Sequence, residues 1–139
     1  MLRCDYLPTV WEPDAATQEM RRLTGHRANL VNDRSRIKNR INSLLAQRLM
    51  KPPVSVLFTK TGLAWLKELE LAGEDRLLVD GQLRLIEQVE AELKLLDQHL
   101  AKLAYGQEQA RLLMTLPGFG YPVALTVLAA LGDLSRFRD

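Results

Sequence analysis

The sequence predicts an all-α protein: a long antiparallel coiled-coil helical hairpin followed by a helix-hairpin-helix-like element. Two long stretches carry apolar side chains at alternating three- and four-residue spacing, which is typical of helices that pack side by side. Prolines and glycines stand at the ends of these stretches, where helices stop. A glycine-containing turn joins two shorter apolar runs near the end of the chain.

The first long helix is expected to follow a linker. Residues 1–13 hold two prolines without helical periodicity, so they predict a linker from a preceding domain. Asp14 is the expected N-cap. Lys51-Pro52-Pro53 ends the helix because proline lacks an amide donor and restricts its predecessor. The apolar positions on the seam of this helix are Met20, Leu23, Leu30, Ile37, Ile41 and Leu44.

A short amphipathic segment, closed by Gly73, is predicted between the two long helices. The third segment, about residues 74–105, has the strongest periodicity in the chain, and only Gly81 is expected to weaken it locally. Residues 14–105 are thus predicted to form the coiled-coil hairpin. The seam of the third segment contains Gln82 and seven apolar residues, Val79, Ile86, Val89, Leu93, Leu96, Leu100 and Leu103.

Charge differs between the two long helices. Residues 21–51 carry nine Lys or Arg against one acid, and residues 66–108 carry ten acids against five bases. Attraction between the helices therefore favours their antiparallel pairing. Arginines also occupy seam positions of the first helix, namely Arg27, Arg34 and Arg48. These are expected to pair with acids of the other helix. Because they weaken the seam, we predict that a second copy covers the leucines, giving a homodimer through the seven apolar positions.

The last segment, residues 106–139, contains the turn Pro117-Gly118-Phe119-Gly120 between two short helices. Glycine permits backbone conformations that other residues avoid, and Pro122 fits the first turn of a helix. Amides of such a hairpin and of the following helix start can bind a phosphate. Two observations temper this interpretation. Tyr121 and Pro122 stand where many phosphate-binding hairpins carry a basic residue, and the same pattern also fits a plain packing turn.

The basic side chains outside the seam are the predicted phosphate ligands of the first helix. Contacts of this kind make affinity fall steeply with salt. The alternative is that the acidic third helix neutralises them. Together with the hairpin glycines Gly118 and Gly120, the predicted nucleic-acid-binding residues are Arg21, Arg22, Arg36, Lys38 and Arg40.

Several other classes of protein find no support in the sequence. No apolar run approaches the length of a membrane span, and no secretory signal is evident. A single cysteine excludes an internal disulfide, so a reduced, cytoplasmic setting is expected. His26 and His99 have no nucleophile placed beside them, and no metal-type His/Cys set occurs. We predict neither a catalytic residue nor a metal ligand in this chain.

Four features follow one another along the chain: the Arg-rich helix with Lys38-Asn39-Arg40, the leucine seam, the hairpin Leu116-Pro117-Gly118-x-Gly120, and the ending Gly132-Asp133-x-x-Arg136-Phe137. With these features in this order, the sequence resembles bacterial insertion-sequence transposases of the 110/116/902 family. That family has a RuvC-like DEDD nuclease domain. The resemblance implies that the chain is an internal fragment, lying between the nuclease acids and a catalytic serine. It also implies DNA as a partner, a structured guide RNA as another, and divalent metal only in the nuclease domain of the parent.

Two other functions fit the same residues. One is a structural coiled-coil interaction module whose hairpin is merely a turn. The other is a helix-hairpin-helix module of a DNA repair protein.

Overall fold

The computed structural model describes residues 12–137, and over these residues the protein is all-α, without a strand. The two long helices pack against each other, so the predicted fold class is confirmed. The predicted linker, residues 1–13, lies almost wholly outside the described residues. The elements are α1 (Ala15–Gln47), α2 (Lys60–Glu68), α3 (Gly73–Gly106), α4 (Glu108–Met114), α5 (Tyr121–Leu131) and a closing 3₁₀ turn (Leu134–Phe137).

Helix α1 begins and ends as its flanking residues dictate. The carboxylate of Asp14 accepts a hydrogen bond of 2.8 Å from the Thr17 amide, which confirms the predicted N-cap. At the other end Leu49 adopts a left-handed conformation (φ 55°), and the Met50 amide donates back to the Leu45 carbonyl at 2.9 Å. This is the Schellman arrangement, in which the left-handed position usually belongs to glycine. The proline pair then follows.

The short helix and the start of α3 depart from expectation. The hydroxyl of Thr59 caps α2 by accepting a 3.3 Å bond from the Gly62 amide. Gly73 does not close α2 but is the first residue of α3, so that prediction is wrong. The reason lies in the next residues: Glu74 and Asp75 occupy the first turn of α3, where carboxylates favour a helix N-terminus. Helix α3 continues through Gly81 and ends at Gly106.

The chain divides into two compact units, His26–Gln98 and the residues up to and including Gly25 together with those from His99 onward. In the unit His26–Gln98, α2 packs onto α1 and α3 around one apolar cluster. Gly62 is buried where α2 meets the loop before it: a Cβ there would lie 2.0 Å from the Leu57 carbonyl oxygen. The cluster consists of Ile37, Ile41, Leu45, Leu57, Leu66, Val79, Leu83 and Ile86.

The other unit has a core of small and medium side chains. Alanines predominate among its buried residues, which lets α4 and α5 approach each other closely. Gly132 ends α5 with φ 71°, and its amide donates to the Leu128 carbonyl, a usual role of glycine at the C-terminus of a helix. The buried residues of this unit are Leu100, Ala104, Ala110, Ala124, Leu125, Leu128 and Ala129.

Two kinds of site are absent from the described range. None of its helices has both the length and the apolarity of a membrane span. Its His, Cys, Asp and Glu side chains form no group of three that could hold a metal ion.

Candidate nucleic-acid interface

The hairpin between α4 and α5 is closed by successive backbone turns. The Leu116 amide donates to Leu113 at 3.0 Å and the Phe119 amide to Leu116 at 3.1 Å. Between these two donors, Gly118 has φ 83°, in the left-handed region, where a residue with a side chain costs about 1 kcal/mol or more. No atom lies within 4 Å of the position its Cβ would occupy, so the backbone conformation, not lack of space, calls for glycine here.

Gly120 has a different role from the one its spacing predicts. It is the N-cap of α5 with φ −74° and ψ 172°, an extended conformation that any residue adopts, so conformational freedom is not required there. A Cβ would meet Pro122 Cδ at 3.6 Å, an ordinary contact. The absence of a side chain still matters, because no side chain caps this helix start and Gly120 is exposed. The N-cap therefore offers no side-chain acceptor to the first turn, and the Val123 amide can donate a hydrogen bond to an anion.

The opposite end of α5 is held by the first long helix. Arg21 donates from Nε to the Ala129 carbonyl at 2.5 Å and from Nη2 to the Ala130 carbonyl at 3.2 Å. A guanidinium at the C-terminus of a helix is favourable because the last carbonyls lack intrahelical partners. The structure thus gives Arg21, a predicted phosphate ligand, partners inside the fold.

Arg22, the next predicted ligand, extends from the surface. Its side chain is 71% exposed, and its nearest acid is Glu19 on the same helix, at 3.5 Å. An exposed pair of this kind contributes little to stability, so the Arg22 charge remains effective toward solvent.

The three predicted ligands in the unit His26–Gln98 differ in their surroundings. Arg36 is 70% exposed and lies 3.4 Å from Asp33, again a same-helix surface pair. Lys38 places its ammonium 5.1 Å from the centre of the Phe58 ring, a cation–π contact. Arg40 donates from Nη1 to Gln82 Oε1 at 3.2 Å. Neither partner of Lys38 and Arg40 was predicted, because both arise only when α1, α3 and the loop before α2 come together.

The seam arginines behave as the sequence predicts in two cases. Arg27 Nε lies 2.6 Å from Asp97 Oδ1, and Arg48 Nε lies 2.7 Å from Asp75 Oδ2, whose side chain is buried. The hydrogen bond with Asp75 raises the pKa of Arg48. Arg34 is half-buried, and no ion pair involves it within residues 12–137. Arg27 and Arg48 therefore link the two long helices, whereas the predicted acid partner of Arg34 is absent from residues 12–137.

Contacts within the single chain largely bury the predicted dimer seam of α3. Four of its seven apolar residues are buried in the single copy: Val79, Ile86, Leu93 and Leu100. The other three, Val89, Leu96 and Leu103, are half-buried. A second copy would therefore have to contact a face of α3 beside this seam.

Comparison with known proteins matches the hairpin region to one family. The model of the transposase IS116/IS110/IS902 family matches residues 110–139, which contain most of α4, the hairpin and α5. No curated protein and no solved structure matches the chain. The hairpin region is therefore similar to transposases, whereas α1 to α3 were assigned to that family by sequence resemblance alone.

Proposed function

We propose that this chain is a nucleic-acid-binding and self-associating segment of a bacterial DNA transposase that moves an insertion sequence. One observation carries the proposal: the family match falls on the α4–α5 hairpin, in which an exposed glycine turn leads into a helix whose N-cap, Gly120, has no side chain. Such a helix start binds backbone phosphate without reading sequence.

The charge on α1 supports the same function. Arg22 and Arg36 are 71% and 70% exposed, and within the described residues each pairs with a same-helix acid. Side chains that are already mobile and hydrated can neutralise phosphates and release counterions. Lys38 and Arg40 extend the basic surface of α1, although each also has a partner within the fold.

The wider role follows if the parent protein is a transposase. In a parent of the DEDD type, cleavage and rejoining belong to a RuvC-like nuclease domain with divalent metal and to a serine in the C-terminal domain. This segment would then bind DNA and a structured guide RNA in the bacterial cytoplasm. No residue of this chain is assigned a catalytic step.

Binding of the 139-residue chain to fluorescent duplex DNA and to a structured RNA, followed by anisotropy at rising salt, tests the proposal. We expect micromolar binding that weakens linearly in log salt. Arg22→Ala with Arg36→Ala should reduce affinity for every sequence alike, since backbone contacts carry no sequence information.

Lys94→Ala with Lys102→Ala is the matched control. Both lysines are exposed, and the double variant removes the same charge, but from the acidic helix α3. If both double variants lose affinity equally, binding follows net charge and not the α1 surface. No binding of either nucleic acid at low salt would favour the structural coiled-coil module instead.

A further inference from the structure

In the described part of the unit His26–Gln98, helix α2 covers one flank of the α1–α3 pair, and no described element of this unit covers the other. Within His26–Gln98, helix α2 lies on the flank of α3 that carries Leu83 and Glu87: Leu66 of α2 packs in the cluster with Leu83, and Lys67 Nζ lies 4.0 Å from Glu87 Oε1. Residues of a helix advance by about 100° each, so Leu78, Gln82 and Leu85 lie on the opposite flank.

That second flank is a shallow groove between α1 and α3 with an apolar floor. Its volume is about 310 Å³, and its lining includes Arg40, Leu44, Gln47, Leu78 and Gln82. Leu78 is 56% exposed, and Leu85, about two turns further along α3, is 43% exposed. Exposed leucines seven residues apart beside a groove are the pattern of a helix face that packs against another helix.

The stripe along this face reads Leu78, Gln82, Leu85, Val89, Glu92, Leu96. Its spacings of four, three, four, three and four residues are the same in both directions. Laid antiparallel on itself, the stripe places Leu78 against Leu96, Leu85 against Val89, and Gln82 against Glu92. A surface that complements itself in this way fits a two-fold interface.

Charge selects the same arrangement. Arg40 donates to Gln82 at 3.2 Å, so in the antiparallel register its guanidinium lies beside Glu92 of the second copy, twice per dimer. A parallel register would instead oppose Glu92 to Glu92, which is unfavourable.

We infer that a second copy of this chain packs on the Leu78–Leu96 face, α3 against α3 and antiparallel, with Arg40 of each copy beside Glu92 of the other. The inference rests on the self-association in the proposed function and bears on nucleic-acid binding only through Arg40. The proposed face shares Gln82, Val89 and Leu96 with the predicted seam of α3 and adds Leu78, Leu85 and Glu92 at its exposed edge.

Sedimentation velocity of the full chain over a micromolar concentration series tests the interface. We expect twice the monomer mass of 15.8 kDa for the wild type. Leu85→Lys should raise the dimer dissociation constant about a hundredfold, because the lost burial occurs once in each copy. Leu95→Lys is the control, since Leu95 is more exposed (62%) but lies outside the stripe. Circular dichroism of each variant confirms that the helices are retained.

Charge reversal and cross-linking determine the register. Glu92→Arg alone should weaken the dimer, and Arg40→Glu with Glu92→Arg should restore it. In a Cys4→Ser background, oxidation of mixed Leu78→Cys and Leu96→Cys chains should join the two variants. Leu78→Cys alone should not cross-link, because the two copies of that position would lie about 27 Å apart along the helix axis.

The outcomes separate the inference from the broader proposal. If Leu85→Lys still forms the dimer and Leu95→Lys does not, the Leu78–Leu96 face is wrong, but the chain still self-associates. A monomer at all concentrations overturns both, while the anisotropy measurement still decides nucleic-acid binding. Cross-linking of Leu78→Cys to itself overturns the antiparallel register.

Discussion

Gly62 is the position where the smallest change should do the most damage to the fold. Replacing it by alanine puts a Cβ 2.0 Å from the Leu57 carbonyl oxygen and 2.6 Å from its carbonyl carbon. Ordinary contact begins at about 3.4 Å, so α2 and the preceding loop must separate by more than an ångström. The atoms in the way are backbone and cannot rotate aside.

The cost can be estimated from the two effects involved. Overpacking a well-packed core costs about 1–3 kcal/mol, and a backbone clash falls at the upper end. Alanine returns up to about 1 kcal/mol through its higher helix propensity. The net loss should therefore be about 2 kcal/mol, a substantial part of the 5–15 kcal/mol typical of a domain. At about 4 °C per kcal/mol for a chain of this size, the melting temperature should fall by about 8 °C.

Gly25→Ala is the matched control because it makes the same substitution inside helix α1. Nothing lies within 4 Å of its Cβ position, so this variant should gain about 0.5–1 kcal/mol. Thermal and urea unfolding, followed by circular dichroism at 222 nm, measures both variants. Equal stability of Gly62→Ala and wild type would refute the close approach of α2 to Leu57, and with it the packing of α2 in the core.

Three further predictions concern helix ends. Leu49→Gly should raise the unfolding free energy by about 0.5–1 kcal/mol, because Leu49 has φ 55° and its side chain is 93% exposed; an unchanged urea midpoint would contradict this. The hydrogen bond with Thr17 lowers the pKa of Asp14 from its ordinary value of 3.8. The Asp14 cap therefore stabilises α1 fully when the pH is well above 3.8, and this stabilisation is lost as the pH falls below that value. Asp14→Ala should accordingly lower the melting temperature at neutral pH and have little effect in acid, as melts at both pH values would show. Arg21→Ala should cost about 1 kcal/mol and speed amide exchange in α5, whereas Arg22→Ala should do neither.

Much of the fold could be read from local signals. Periodicity predicts α1 and α3, and Gly106 and Gly132 mark the C-termini of α3 and α5. Helix α1 ends at Gln47, ahead of the prolines, because the chain turns at Leu49. The N-cap Asp14 and the closing Gly132 are decided by neighbours three or four residues away. Pairing of Arg27 and Arg48 with acids of α3 followed from their seam positions and from the opposite charge of the helices.

The remainder depends on contacts between distant parts of the chain. The sequence around Gly62 does not distinguish it from another glycine near a helix start. Glycine is required there because the folded chain places the Leu57 backbone against it. Glycine often ends a helix, so the sequence predicts a stop at Gly73, yet the two acids after it favour a helix start. In the candidate site, spacing separated seam from surface arginines but could not tell that Arg21 would reach the carbonyls of α5.

The surroundings of the five predicted bases divide them by role. Arg21 secures α5, Lys38 lies over Phe58, and Arg40 bonds Gln82 at the edge of the proposed dimer face. Arg22 and Arg36 are left with only same-helix acids. Each phosphate neutralised on duplex DNA adds about −0.9 to the slope of log affinity against log salt. Two such residues therefore account for a slope of about −1.8, against about −4.5 if all five bound phosphate. Because Arg40 cannot serve a second copy and a phosphate equally well, a dimer on the Leu78–Leu96 face excludes the slope of about −4.5 per chain and leaves at most about −3.6.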